Sequence, residues 1–265
     1  MDLKDRRIVI TGASSGIGLA LLKRLVKAEA KIVAVSRHLQ DIRQEFADEN
    51  VYTVECDVSD PQQIDNMLDE AKRILGGIDI FVSNAGVGIY GKIGPADWSK
   101  TENIFKTNVF APMYILQKLT ADGPKEDLTF MLTISALGKM VLPGFAFYNS
   151  TKFALDGFIR TYRMEKPANV KIIPVYPSAA YTPFFRKAGG DNTPMPLLDR
   201  QSAASVAWCM EQGLRMGLPF VYTSIIFTAR SIAVRVLPVD LIPQAIEKMR
   251  FSAWLKRHKQ DPDLS

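Results

Sequence analysis

The sequence predicts an α/β protein: one doubly wound parallel β-sheet with helices on both faces, forming a single domain that ends in a helical extension. Three observations lead there. Short β-branched runs alternate with helical stretches over most of the 265 residues, the first run passes directly into a glycine turn and a helix, and neither a linker nor an internal repeat divides the chain. Strands separated by helices pair in parallel through right-handed crossovers, which puts helices on both faces.

The elements follow in order. Arg7 to Thr11 is β-branched and apolar, small residues from Gly12 turn the chain, and Ile17, Leu19 to Leu22 and Leu25 to Val26 recur at helical spacing. Lys31 to Ser36 reads as a strand, Leu39 to Phe46 as a short helix and Val51 to Glu55 as a strand. Asp60 and Pro61 open a helix that runs to Leu75, because an aspartate caps the first amides and a proline is preset for the first turn. A strand Ile78 to Val82, a long helical stretch from about Ala96 to Leu119, a strand Leu128 to Ile134, a helix from about Phe145 to Glu165 and a strand Val170 to Tyr176 continue the pattern. From Pro177 it loosens. Pro183, Gly189, Gly190, Pro194 and Pro196 mark a long loop before a helix from about Asp199 to Met216, and loops of that length in compact domains are usually functional or mobile. A strand near Phe220 to Ile225 and a helix-rich tail complete the chain, dividing it into a domain over residues 1–228 and a dependent extension over 229–265.

Composition removes several function classes. Hydrophobic residues make up 47% and charged residues 23%, with a mean hydropathy of +0.01, the profile of an ordered globular protein. The longest apolar stretches, Pro219 to Ala229 and Ser231 to Val239, are split by Arg230 and Arg235, so neither reaches the roughly 20 residues that span a bilayer. The 33 basic and 28 acidic residues leave a net charge of +5, which is mild for this length; nucleic-acid binding would want that charge on one face with aromatic interleaving, and the strongest local excess, Lys256, Arg257 and Lys259 in the tail, reads as a solvated face. His38 and His258 are the only histidines and neither sits in a cluster with ligand spacing, so no metal site is expected. Cys56 and Cys209 lie far apart, and Met1 precedes Asp2, Lys4, Asp5, Arg6 and Arg7 with no apolar leader core, which fits a reducing cytoplasm.

Three features carry chemistry. Thr11-Gly12-Ala13-Ser14-Ser15-Gly16-Ile17-Gly18 is a glycine turn between strand and helix, where missing side chains let backbone amides approach a pyrophosphate at a helix N-terminus; a tight turn alone gives the same pattern. The second strand ends at Ser36-Arg37-His38, with no acid for an adenosine ribose. A guanidinium at Arg37 beside small Ser36 suits a 2′-phosphate, although an exposed surface arginine would look the same. Tyr148 and Lys152, in Tyr148-Asn149-Ser150-Thr151-Lys152, share one helix face, and an ammonium there favours phenolate, lowering the tyrosine pKa from about 10 toward the range of an acid/base group. Surface Tyr–Lys pairs of this spacing are also common.

Taken together, these residues resemble the short-chain dehydrogenase/reductase family from Arg7 to about Ile225. The glycine turn matches at Gly12, Gly16 and Gly18, the acidic residue after the third strand that contacts adenine at Asp57, and the Asn-Ala-Gly turn after the fourth strand at Asn84, Ala85 and Gly86. The family's catalytic asparagine matches Asn108, and its catalytic serine matches Ser135, thirteen positions before Tyr148. The resemblance implies a Rossmann-like fold and an oxidoreductase that exchanges hydride between NADP(H) and a carbonyl or alcohol. Tyr148 would protonate the carbonyl oxygen, Ser135 would hydrogen-bond it, Lys152 would bind the nicotinamide ribose and acidify Tyr148, and Asn108 would position a water that relays protons to Lys152. The cofactor would lie along Gly12, Ser14, Ser15, Gly16, Ile17, Gly18, Ser36, Arg37, Asp57, Val58, Asn84, Ala85, Gly86, Tyr148, Lys152, Pro177 and Thr182. Two departures stand out. Ser178 replaces the glycine that usually follows Pro177, and Ser15 occupies the place where many NADP(H)-using members carry a basic residue, so the cofactor preference depends on Arg37.

The expected substrate wall comprises Val87 to Ile93, Met140 to Phe147 and Tyr181 to Leu198, with Ile89, Tyr90, Met140, Val141, Leu142, Phe145, Phe147, Tyr181, Phe184, Phe185 and Met195 favouring an apolar carbonyl compound; several of these aromatics would equally serve as core or dimer packing. The tail from Leu241 to Lys259 mixes Ile242, Ala245, Ile246, Met249, Trp254 and Leu255 with Lys248, Arg250, Lys256 and Arg257. That pattern resembles a basic amphipathic helix, which would rest on a membrane surface or pack on the chain's own core or a second subunit. Relatives commonly pair through the two helices that here hold Asn108 and Tyr148, so a homodimer or homotetramer is expected. A regulator or scaffold that binds NADP(H) without chemistry is the alternative, but such proteins usually lose the tyrosine or lysine.

Overall fold

The computed structural model describes residues 1–47, 50–121, 123, 126–190, 193–195, 199–233 and 241–257. In chain order the elements are β1 (Arg7–Thr11), α1 (Gly16–Lys27), β2 (Lys31–Ser36), α2 (Gln40–Glu45), β3 (Val51–Glu55), α3 (Pro61–Leu75), β4 (Ile80–Ser83), α4 (Trp98–Phe105), α5 (Ala111–Thr120), β5 (Leu128–Thr133), α6 (Ala146–Glu165), β6 (Val170–Tyr176), β7 (Ala179–Tyr181), α7 (Phe184–Gly189), β8 (Arg200–Ser202), α8 (Ala203–Met216), β9 (Val221–Tyr222), α9 (Ile225–Ala233) and α10 (Leu241–Arg257). Seven strands form one sheet in the order β3-β2-β1-β4-β5-β6-β9, every pair parallel.

Strand residues alternate between the two helical layers, as the two-residue period of a strand requires. Ile8, Ile10, Ile32, Ala34, Ile80, Val82, Met131 and Ile173 pack toward Leu21, Leu22 and Leu25 of α1 and Val206, Met210 and Leu214 of α8. Val9, Val33, Val35, Phe81, Phe130, Leu132 and Ile172 pack toward Ile64, Met67 and Leu68 of α3, Ile115 and Leu116 of α5 and Leu155 and Ile159 of α6. The strand order reverses between β1, which leads outward to β2, and β4, which leads to β5. A reversal of this kind opens a crevice at the carboxyl ends of the central strands.

Several boundaries depart from expectation. The fourth strand begins at Ile80 rather than Ile78, because the chain is still turning through Gly76 and Gly77, both at positive φ. The long helical stretch is interrupted by a π-helical segment, Lys106–Phe110, between α4 and α5. The segment after Pro177 is not a bare loop: β7 pairs in parallel with β8, and α7 lies between them. Consequently α8 starts at Ala203, where the Ser202 hydroxyl accepts from the Ser205 amide at 3.0 Å. The last strand of the sheet holds only Val221 and Tyr222, since Ser224 caps α9 by accepting from the Phe227 amide at 3.1 Å. Pro196, Leu198, His258 and Lys259 lie outside the described residues.

Candidate active site

A cavity of about 610 Å³ fills the crevice and runs from the glycine turn past Tyr148 to the tail helices. Its volume suits a cofactor or a drug-sized ligand. One end is lined by Gly12, Ser14, Ser15, Gly16, Ile17, Ser36, Arg37, Asp57, Val58, Asn84, Ala85 and Gly86, the middle by Ser135, Tyr148, Lys152, Pro177 and Thr182. Of the expected residues, Gly18 and Asn108 are not on its wall.

The glycine turn has the shape a dinucleotide needs. Gly12 and Gly16 sit at φ +68° and +58°, where side chains are strained, and a Cβ on Gly12 would lie 2.9 Å from the Ala85 Cα. A Cβ on Gly18 would come within 2.1 Å of the Gly12 carbonyl oxygen, so Gly18 is a close-packing residue that seats α1 under the turn. Ser15 caps α1 without a side-chain hydrogen bond, leaving the first-turn amides directed at the cavity end where phosphates would lie. Nearby, the Ser36 hydroxyl donates to that of Ser14 at 2.8 Å, and exposed Arg37 stands 3.8 Å from the Asp57 carboxylate. The Asp57 carboxylate also accepts from the Ser59 amide and hydroxyl at 2.9 and 2.8 Å, which shapes the turn after β3.

Asn84 ties the central strands together. Its amide nitrogen donates to the carbonyls of Thr11 and Gly12, and its carbonyl oxygen accepts from the Thr133 hydroxyl at 3.2 Å. Asn108 is almost wholly buried in the π-helical segment and grips the backbone of Val87 from both sides: its oxygen accepts from the Val87 amide at 2.9 Å and its nitrogen donates to the Val87 carbonyl at 2.8 Å. The same nitrogen reaches the Thr151 hydroxyl at 3.1 Å, which links α6 to this segment. π-helical turns of this sort concentrate at functional sites.

Tyr148 and Lys152 are buried on one face of α6, with the Lys152 ammonium 5.5 Å from the tyrosine ring centre and donating to the Thr133 carbonyl at 3.1 Å. Burial works against the acidification of the tyrosine that the spacing suggests. Burial pushes the Tyr148 hydroxyl up to about 12, only partly offset by its hydrogen bond with Ser135, and burial pushes Lys152 down to about 7. Desolvation is the leading cause of both shifts, favouring the protonated phenol and the neutral amine.

Ser135 is held at φ +145°, ψ +158°, a backbone region nearly confined to glycine and worth about 1–3 kcal/mol of strain. Its surroundings hold it there. The Ala136 amide donates to the Pro177 carbonyl at 2.7 Å, and buried Asn149 donates to the carbonyls of Leu137 and Met140 while accepting from the Leu142 amide. Lys139 pairs with Asp156 of α6 at 2.7 Å, and the Tyr176 hydroxyl donates to the other Asp156 oxygen at 2.6 Å. These anchors escaped the sequence reading, although Asp156 lies one helical turn beyond Lys152 and so shares its face.

The apolar wall is partly as expected: Val87, Met140, Val141, Leu142, Phe145, Phe184 and Phe185 line the cavity, whereas Ile89, Tyr90, Phe147, Tyr181 and Met195 do not. Tyr90 is buried behind the wall among Phe145, Phe251 and Trp254, with ring centres 4.8, 5.6 and 4.9 Å away. Through Phe251 and Trp254 the tail thus packs on the chain's own aromatic cluster around Tyr90 and Phe145. It also supplies lining that the sequence did not single out, Ile226 and Phe227 of α9, together with Ile246 of α10.

The profile of the short chain dehydrogenases matches residues 6–192. The chain is 30% identical over 221 residues to 3-ketodihydrosphingosine reductase of Bos taurus, covering 79% of this chain and 66% of that protein. It is also 30% identical over 175 residues to a fatty acyl-CoA reductase of Mycobacterium tuberculosis, covering 62% of this chain and 59% of that one, so it spans about two thirds or less of these relatives' length. Among solved structures it superposes on a short chain dehydrogenase/reductase from Burkholderia phymatum in complex with NAD, with a TM-score of 0.77, 19% identity and coverage of 92% and 96%. A short chain dehydrogenase from Burkholderia cenocepacia in complex with NADP gives a TM-score of 0.70, 23% identity and coverage of 81% and 92%.

The proton affinity of Lys152 gives a stability test. Its pKa is lower folded than unfolded, so between about pH 7 and 10.5 the unfolded chain binds more protons and stability rises with pH. Replacing Lys152 by Met should remove that dependence, which approaches about 1.4 kcal/mol per pH unit for a single group. Urea unfolding of both proteins from pH 7 to 9.5 should show the variant's advantage largest at pH 7. Parallel stability profiles would contradict the buried amine. With the cradle, the buried residues and the profile match in agreement, the chain belongs to the short chain dehydrogenase family.

Proposed function

We propose that the chain is an NADP(H)-dependent oxidoreductase that interconverts an apolar carbonyl compound and the matching alcohol. The observation that carries this reading is the meeting of Ser135, Tyr148 and Lys152 on one cavity, between a glycine cradle and an apolar wall. The cofactor, when bound, supplies or accepts hydride. Tyr148, kept protonated by burial, gives its proton to the carbonyl oxygen during reduction, and Ser135 hydrogen-bonds the same oxygen where negative charge develops. Lys152, pushed down to about 7 by burial, returns the proton to Tyr148 and binds the nicotinamide ribose. Asn108 holds the π-helical segment and Val87 in register, and would position a water that relays protons to Lys152.

The preference for NADP(H) is drawn from Arg37 with the Ser14 and Ser36 hydroxyls, a cluster suited to a 2′-phosphate, and from the absence of an acid at the end of β2. The two solved relatives differ in this respect, one carrying NAD and one NADP. The apolar wall favours an aliphatic substrate, and the two curated relatives are named for lipid carbonyl compounds. Residues 1–228 act as the catalytic domain and 229–265 as its extension. A homodimer or homotetramer formed through the helices that hold Asn108 and Tyr148 accords with the exposed Phe110 and Phe153 on them. A cytoplasmic setting accords with two unpaired cysteines; among the described residues no helix is long and apolar enough to cross a membrane.

Tyr148→Phe should lower the rate of NADPH oxidation with an aliphatic ketone, aldehyde or 3-oxoacyl thioester by about 10²–10⁴-fold while NADPH still binds. A variant that kept most of its rate would remove Tyr148 from the chemistry. Arg37→Ala should raise the KM for NADPH about tenfold or more, the scale of one charge-assisted contact to phosphate, and leave that for NADH nearly unchanged. Equal effects on both cofactors would contradict the assignment of Arg37.

A further inference from the structure

The far end of the cavity lies between α9 and α10, where Ile226 and Ile246 line it, with Lys187 and Asp199 also on the wall. Ile226 and Ile246 line the cavity and are also 60% and 38% exposed, so they stand at its mouth. Beside them on the outside are Ile225, 89% exposed, and Met249, 65% exposed and one helical turn from Ile246. Large aliphatic side chains held this far out cost free energy in water unless something covers them. The helix is nevertheless fixed, because Phe251 and Trp254 on its inner side pack against Tyr90, and the Arg250 guanidinium donates to the Met195 carbonyl at 2.9 Å.

Charge indicates what covers the rim. Lys248 and Lys256 are exposed on the same helix. Over Leu241–Arg257 the sequence carries two lysines and two arginines against one acid, Glu247. Aliphatic side chains projecting beside lysines suit a surface that is both apolar and anionic, as an anionic bilayer is, better than a second copy of this chain, which would bring the same positive charges.

We propose that the α9–α10 rim docks on an anionic phospholipid surface, so that the mouth of the substrate cavity faces the membrane and an aliphatic carbonyl substrate enters from the bilayer. The surface assignment comes from the exposed rim and its charge; the entry of substrate rests on the catalytic reading above. Docking adds a second benefit to the fold. A chain that takes its substrate directly from lipid avoids passing a long aliphatic molecule through water, which costs about 0.8 kcal/mol per exposed CH₂.

The test is flotation of the full chain with vesicles of phosphatidylcholine containing 30% phosphatidylglycerol (on the order of physiological anionic content) and with pure phosphatidylcholine. Turnover of a short, water-soluble ketone with NADPH is followed alongside. The chain should float with the anionic vesicles and far less with the neutral ones. Ile225→Asp combined with Met249→Asp, neither of which lines the cavity, should abolish flotation while soluble-ketone turnover is kept. Lys248→Glu and Lys256→Glu should each weaken vesicle binding about fivefold or more. A chain that stays in the aqueous fraction with both vesicles, or floats equally well after the Ile225 and Met249 substitutions, would overturn the proposal. So would a dimer in solution that those two substitutions dissociate, since a second copy would then be the cover. Loss of soluble-ketone turnover in the unmodified chain would count against the catalytic reading and leave the flotation result to stand alone.

Discussion

Tyr148 and Lys152 are almost wholly buried beside the end of β5, with the amine donating to the Thr133 carbonyl and the tyrosine ring packed on Phe145 and Phe184. That burial shifts both proton affinities, upward for the phenol and downward for the amine. In water the two groups would titrate close together, near 10. In the crevice burial moves them apart, favouring the protonated phenol and the neutral amine. Much of the remaining architecture holds this pair beside the cavity.

The arrangement depends on strain held from several sides. Ser135 occupies backbone space that a serine avoids, and the strands, α6 and the segment after Pro177 each contribute a hydrogen bond that keeps it there. Asp156 gathers Lys139 and Tyr176, thereby joining the serine loop, the tyrosine helix and the strand that leads to Pro177. Removing one partner of such a buried charge leaves the other unpaired, so the network is costly to disturb. On the opposite side Asn108 fixes Val87, and the π-helical segment lets it do so without breaking the helix that continues into α5.

Much of this was legible in the sequence, for identifiable reasons. The strands were read from β-branched apolar runs alternating with helical stretches, and the glycine turn, Ser135, Tyr148 and Lys152 from spacing and family resemblance; the cavity brings those last residues together. What sequence reasoning missed is tertiary. The π-helical turn at Asn108 has no periodic signature, because one extra residue in a helix changes the register only locally. β7 and β8 are three residues each, too short for a hydrophobic period to show, and they exist because a distant segment pairs with them. The charge argument at Tyr148 named the right pair, but a sequence gives distance along a helix and says nothing of how deeply both groups are desolvated. The tail's dual character was visible as composition. Only packing showed that Trp254 and Phe251 turn inward while Met249 and Ile225 face out.

The most direct measurement is the proton affinity of Lys152 itself, followed by NMR of the side-chain amine in a chain carrying labelled lysine, with Lys152→Met identifying the resonance. The desolvated site predicts titration near 7 in the protein without cofactor. A midpoint near 10, the value of an amine in water, would mean that the crevice is wet, and the separation of proton affinities on which this account is built would be lost.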